Sequence, residues 1–158
     1  MLKIRDFTIF LALLAATVFS QALATAADDK ASAAQREQKL IAVLQSDAPP
    51  QDKAITCKQL LLCGTKDAVP ALAALLTNEQ LASWARIALE AIPDPAADEA
   101  LRQAMAKLQG RLLVGVINSI GTRRDAKAVD GLVKPLKAAD AEVASAAAVA
   151  PGPSFSDQ

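Results

Sequence analysis

The sequence predicts an all-α protein, an α-solenoid of about four antiparallel helix pairs, and three observations predict it. Leu40, Leu72, Leu101 and Leu132 recur at intervals of 32, 29 and 31 residues, and each is followed four residues later by Leu44, Leu76, Met105 or Leu136. A period near thirty residues marks a stacked array whose units are each too small to bury their own apolar face. Within segments the apolar residues stand at i, i+3, i+4 and i+7, as in Val69, Leu72, Leu75 and Leu76, which is helical spacing, and strand alternation is absent. The segments are joined by two to five residues, links short enough to favour antiparallel neighbours.

Taken in order, the chain opens with Lys3 and Arg5 ahead of an apolar run from Phe7 to Phe19, then small residues through Ala27 before Asp28. That pattern predicts a secretory signal peptide over 1–26, cleaved after Ala26, and so an exported protein, periplasmic or secreted. The alternative is an uncleaved anchor in the inner membrane, because residues 7–27 form 21 uncharged residues. Residues 27–34 are expected to be a flexible lead. The repeat domain then runs over 35–150, with helices expected at 35–45 and 51–63, 67–77 and 79–92, 96–109 and 111–120, and 125–138 and 140–150. Helix breakers separate them: Gly64, the Pro93-Asp94-Pro95 run, Gly110 and Gly121. Asp67 and Asp125 stand where a carboxylate caps a helix or meets its positive dipole end.

The second helices repeat too. Ile55, Trp84, Leu112 and Val143 hold one equivalent position, Leu60, Leu89 and Ile117 another, and Cys63, Ile92 and Ile120 a third. This places Trp84 and Cys63 in the core, and Cys57, equivalent to Arg86 and Val114, away from it. In an oxidising compartment a partly exposed Cys57 can join an intermolecular disulfide. Cys57 and Cys63 cannot easily pair with each other, being about 120° apart around a helix and about 9 Å along it. The fourth unit breaks the pattern twice. Pro135 falls inside a first helix, where it predicts a kink or an early end, and Pro151 stops the last helix near Ala150, giving a frayed end and a disordered tail over 151–158. These breaks also fit a truncated copy of a longer array.

The stretch Gly64-Thr65-Lys66-Asp67-Ala68-Val69-Pro70-Ala71-Leu72-Ala73-Ala74-Leu75-Leu76, with its echo Gly121-Thr122-Arg123-Arg124-Asp125-Ala126-Lys127-Ala128-Val129-Asp130-Gly131-Leu132, resembles the short bacterial HEAT repeat of roughly thirty residues, similar to the HEAT-like repeats of phycobilisome lyases. The resemblance covers about residues 35–150. It implies a HEAT-like superhelix and is nearly silent on function, because such repeats serve as scaffolds in many unrelated proteins. It also implies that the second helices line a concave side, whose non-core positions are Lys58, Arg86, Glu90, Arg111 and Asn118. These form the expected protein-binding ridge.

Charge is balanced, 17 basic against 17 acidic residues, so no bulk field draws the chain to nucleic acid. Contact with a membrane is expected only through the signal segment. With no histidine in the chain the commonest general base is missing. Ser83, Ser119 and Ser145 have no base beside them in sequence, and no Gly-rich phosphate loop or nucleophile elbow is present. Asp94, Asp98 and Glu99 cluster around a turn, where they either line the first turn of a helix or hold a cation weakly. The expectation is therefore an exported scaffold with no catalysis, cofactor or metal of its own and a protein partner of unknown identity. A part of a larger bilin-lyase-like or haem-associated system, and a truncated remnant, are the alternatives.

Overall fold

The computed structural model of the chain describes residues 31–137 and 139–150, with the side chain of residue 136 left out. The expected signal peptide, the first residues of the lead and the tail after Ala150 lie outside the described residues. The chain divides into two compact units, Met1–Arg36, of which only 31–36 are described, and Glu37–Gln158. Every regular element among the described residues is helical. The helices are α1 (31–45), α2 (Pro50–Cys63), α3 (Val69–Ala74), α4 (Ala82–Ala91), α5 (Pro95–Met105), α6 (Gly110–Arg123), α7 (Val129–Leu136) and α8 (Ala141–Val149). None of them is long and apolar enough to cross a membrane.

Local chemistry sets the ends. Pro50 and Pro95 occupy first-turn positions, where the absent N–H would have no partner and the fixed φ suits a helix. Asp94, Asp125 and Asp140 accept from the backbone N–H two residues on, at 2.8, 3.1 and 2.9 Å. Asp125 thus caps, whereas Asp67 stands in the first turn, where its charge meets the dipole end, and Thr65 accepts from the Asp67 N–H at 3.3 Å. Thr65 and Asp125 both open a short 3₁₀ turn, Lys66–Ala68 and Ala126–Ala128, that leads into α3 and α7. The two units therefore align on Thr65 and Asp125. Gly64 and Gly121 are not equivalent.

Several boundaries differ from the expected ranges, among them α4 (Ala82–Ala91 against 79–92) and α5 (Pro95–Met105 against 96–109). Helix α1 is already formed at residue 31, which takes the last four residues of the expected lead into it. The segment 67–77 is a six-residue α-helix between 3₁₀ turns, the second being Leu75–Thr77. Helix α6 runs through Gly121 to Arg123, and the chain turns instead at Arg124, in the left-handed region with φ 53°. Gly121 is buried inside the helix and does not break it. Helix α7 ends at Leu136, one residue after Pro135. That is the expected early end, since proline donates no hydrogen bond to the preceding turn.

Packing follows chain order. Helix α2 packs on α4, α4 on α6 and α6 on α8; α3 pairs with α4, α5 with α6 and α7 with α8, and α3 also lies on α5. The ladder leucines fill the space between: Leu44, Leu72, Leu76, Leu101 and Leu132 are buried, joined by Leu60, Leu89 and Ile117 from the second helices. Burying side chains of this size stabilises by about 1.5–3 kcal/mol each before ordering costs.

The cysteines exchange the places expected for them. Cys57 is 1% exposed and Cys63 is exposed. The equivalence of Cys63 with Ile92 fails because the helices end differently. Ile92 lies beyond α4 with extended backbone (ψ 115°) and turns inward, while Cys63 is still the last residue of α2 and stays on its outer side. That side also carries Ile55, 53% exposed, and Leu62, 83% exposed, so Ile55 is not a core residue either. Burial pushes the Cys57 thiol up to about 11.

Candidate functional site

The second helices bring the expected ridge residues to two depths. Lys58, Arg111 and Asn118 are exposed on α2 and α6. Arg86 and Glu90 are half-buried, because α4 lies between α2 and α6 and its polar face is pressed onto α6. Arg86 Nη1 donates to Gly115 O at 2.9 Å and to Ser119 Oγ at 3.1 Å. Ser119 Oγ in turn donates to Glu90 Oε1 at 2.6 Å. One turn separates Arg86 from Glu90 on α4, as it does Gly115 from Ser119 on α6, so both pairs face each other in register.

Gly115 makes this possible. A Cβ built there would stand 2.7 Å from Arg86 Nε and 2.8 Å from Cζ, so the guanidinium lies flat where any side chain would be. Burial lowers the Arg86 pKa from its ordinary value, and the Glu90 charge partly restores it. Ser119 gives the guanidinium a hydrogen-bond partner inside the interface, and Glu90 a nearby opposite charge.

Ser119 does have a carboxylate beside it, contrary to the sequence expectation. The partner comes from the preceding unit, 29 residues earlier, which a local reading of the chain cannot see. A hydroxyl donating to a carboxylate is the arrangement a nucleophile needs. Ser119 is 0% exposed, however, so no substrate reaches it. The triad joins α4 to α6 and holds Arg86 in place.

Two hollows flank that joint. One, of about 810 Å³, is lined by Glu79, Ser83, Arg86, Gln109, Arg111 and Leu112. The other, of about 760 Å³, includes Arg86, Arg111, Asn118, Glu142, Ser145 and Val149 in its lining. Arg86 and Arg111 line both, and together the two linings draw on α4, α6 and α8. Lys58 stands apart, its Nζ 4.5 Å from the centroid of the half-buried Trp84 ring. Trp84 packs partly against the core; of the positions equivalent to it, Val143 is buried, Leu112 half-buried and Ile55 exposed, so the expected core position holds only in part. Both hollows carry acids as well as arginines, so the surface is mixed in charge.

A second set of polar links closes the turns between units. Arg123, at the end of α6, donates from Nη1 to Leu89 O (2.9 Å), Glu90 O (3.0 Å) and Ile92 O (2.7 Å), and from Nη2 to Asp94 O (3.3 Å). Its Nε pairs with Asp98 of α5. The free carbonyls at the end of α4 find their donors in this one side chain. In α1, Glu37 Oε1 accepts from Thr65 N at 2.6 Å and from Thr65 Oγ1 at 3.0 Å. Glu37 and Asp98 each stand three residues before a ladder leucine, so one repeat position supplies an acid to the turn after the second helix of its own unit. That spacing was the available signal for both. Arg102 pairs with Glu99 at 2.7 Å and with Asp125. Asp94, Asp98 and Glu99 are thus a cap and two ion-pair partners. Among the described residues no group of three or more acids, cysteines or histidines is placed to hold a metal.

No protein-family model matches the chain, and no curated protein does.

Proposed function

We propose that the chain is an exported scaffold, a HEAT-type solenoid of about four helix pairs that binds a partner protein along the ridge of its second helices and performs no chemistry of its own. The observation that carries this reading is the order of packing, α2 on α4, α4 on α6 and α6 on α8, which is what an open stack of units requires and a closed bundle does not. The likeness of the Gly64–Leu72 stretch to short HEAT repeats supports the same reading. Arg111 and Asn118 sit at the middle of the ridge, and Arg86, locked by Ser119 and Glu90, gives it a fixed guanidinium edge. A fixed polar surface binds with less ordering cost than a mobile one. Export rests on the amino-terminal pattern of Lys3, Arg5, the apolar run and the small residues before Asp28.

Photo-crosslinking residues placed at Arg111 and Asn118 test the reading against the same residue placed at Ala74 and Gln103, which are exposed on the first helices. In the native host the ridge positions should give one discrete crosslinked species and the first-helix positions none. Crosslinks of equal yield from both faces, or from neither, contradict it. Export is tested separately: the mature chain should begin at Ala27.

A further inference from the structure

A different surface points to a specific kind of ligand. Helix α3 lies along α5, but among the described residues α5 has no comparable packing on α7. The two meet where Met105 Cε lies over Gly131, at 2.6 Å from where a Cβ would be. Because α7 is short and stops after Pro135, a cleft of about 960 Å³ opens beside that contact. Its floor is apolar, with Met105, Leu113, Val133 and Val143, and Val133 is 48% exposed.

The rim is basic. Lys107 stands on the turn out of α5, and Lys127, Lys134 and Lys137 follow along α7 and its flanks. Asp130 is the one carboxylate in the lining, and none of the four lysines makes an ion pair among the described residues. Glu99 is near enough to Lys127 for that charge to help lower its pKa, after the larger effects of its hydrogen bonds to Arg102 and Gln103. Arg102, also in the lining, is already committed to Glu99 and Asp125.

We propose that this cleft binds an acidic segment of a partner protein, with apolar side chains on the floor between Met105 and Val133 and carboxylates meeting Lys107, Lys134 and Lys137. The spread of the lysines selects this occupant. Lys127 lies in the 3₁₀ turn before α7, Lys134 in its last turn and Lys137 just past its end, so the charges run the length of an eight-residue helix, about 12 Å, and a ligand with one acidic head group can satisfy only one end. No aromatic residue lines the cleft to stack a base, which argues against a single-stranded nucleic acid. A flat anionic bilayer does not reach a concave floor. The cleft adjoins the ridge at Gln109, which lines both, but its lysines and apolar floor are not part of either ridge hollow.

The test uses the full chain and a fluorescent synthetic peptide of about sixteen residues, ~24 Å long as a helix, with leucines on one face and glutamates on the other. The expected result is saturable binding that weakens as salt rises, is at least about tenfold weaker for Lys134→Glu/Lys137→Glu, and is unchanged for Arg111→Glu. A peptide with lysines in place of the glutamates should prefer the double variant, a rescue that misfolding cannot produce. Absence of peptide binding by the wild-type chain, equal affinity of wild type and double variant, or lysine-dependent binding of oleate or phosphatidylglycerol vesicles in place of the peptide overturns the proposal. Loss of peptide binding in Arg111→Glu alone also overturns it, by moving the site to the ridge.

Discussion

Replacing Arg123 by alanine removes the one donor that four carbonyls and a carboxylate share, and its cost can be worked from the structure. The side chain is 10% exposed and Asp98 23%. Hydrogen bonds to charged groups contribute about 1.5–3 kcal/mol each and are not additive in one network. Removing one partner of a fully buried pair costs about 3–5 kcal/mol. Because some water reaches this site and can re-solvate the carbonyls of Leu89, Glu90 and Ile92, we expect about 3 kcal/mol for Arg123→Ala. In a domain with about 5–15 kcal/mol of stability that is a large share. It corresponds to a fall of roughly 12 °C in Tm at about 4 °C per kcal/mol. Arg123→Lys keeps the charge and loses the fork, and should cost about half as much. The assay is urea unfolding of the full chain, comparing midpoints at constant m. In a cycle with Asp98→Ala the coupling should be about 1 kcal/mol or more. A cost below about 1 kcal/mol for Arg123→Ala, or simple additivity with Asp98→Ala, would show that this residue does not hold the end of α6 to the turn after α4.

Other expectations follow from particular side chains. A thiol reagent at neutral pH should modify Cys63 quickly and Cys57 only as the protein unfolds; fast modification of Cys57 in the native state contradicts its burial. The Cys57 thiol titrates at about 11 in the folded chain against 9.0 as its ordinary value. Between those two pH values the unfolded chain releases this proton first, so stability falls as pH rises through the window. Cys57→Ala should lack that part of the slope, and identical slopes for the two proteins refute the linkage. Gly115→Ala should cost about 1 kcal/mol, the balance of crowding Arg86 against a gain of about 1 kcal/mol in helix propensity. In an Arg86→Ala background the crowding is gone and the same change should stabilise. Equal signs in the two backgrounds would remove Gly115 as the seat of the guanidinium.

The helices were legible because the ladder leucines recur at a helical and a thirty-residue spacing: Leu72, Leu101 and Leu132 are buried, while Leu40, the first rung, is half-buried and Leu44 one turn on is buried. Helix ends were less legible. Gly121 reads as a breaker but lies buried inside α6, and Arg124 carries the left-handed turn that sequence would assign to glycine. Alignment by repeat placed Cys63 with Ile92 and missed that one is inside a helix and the other beyond it. Of the expected ridge, Lys58, Arg111 and Asn118 are exposed, while Arg86 and Glu90 are half-buried, since Ser119 and Gly115, 29 residues on from Glu90 and Arg86, meet them only in the fold. The same is true of Arg123. Its four carbonyl partners belong to the end of α4 and the turn after it, and no local pattern in the sequence announces them.

Everything proposed for the ridge depends on the units forming an open stack. Spin labels at Lys58 on α2, paired in turn with labels at Ser83 on α4, Asn118 on α6 and Ser145 on α8 in a Cys63→Ser background, measure this directly. Packed helices stand about 8–10 Å apart, so the three distances should lengthen step by step, on the order of 10, 20 and 30 Å. If the label on α8 lies no farther from α2 than the label on α6 does, the helices close into a bundle and the chain has no extended ridge.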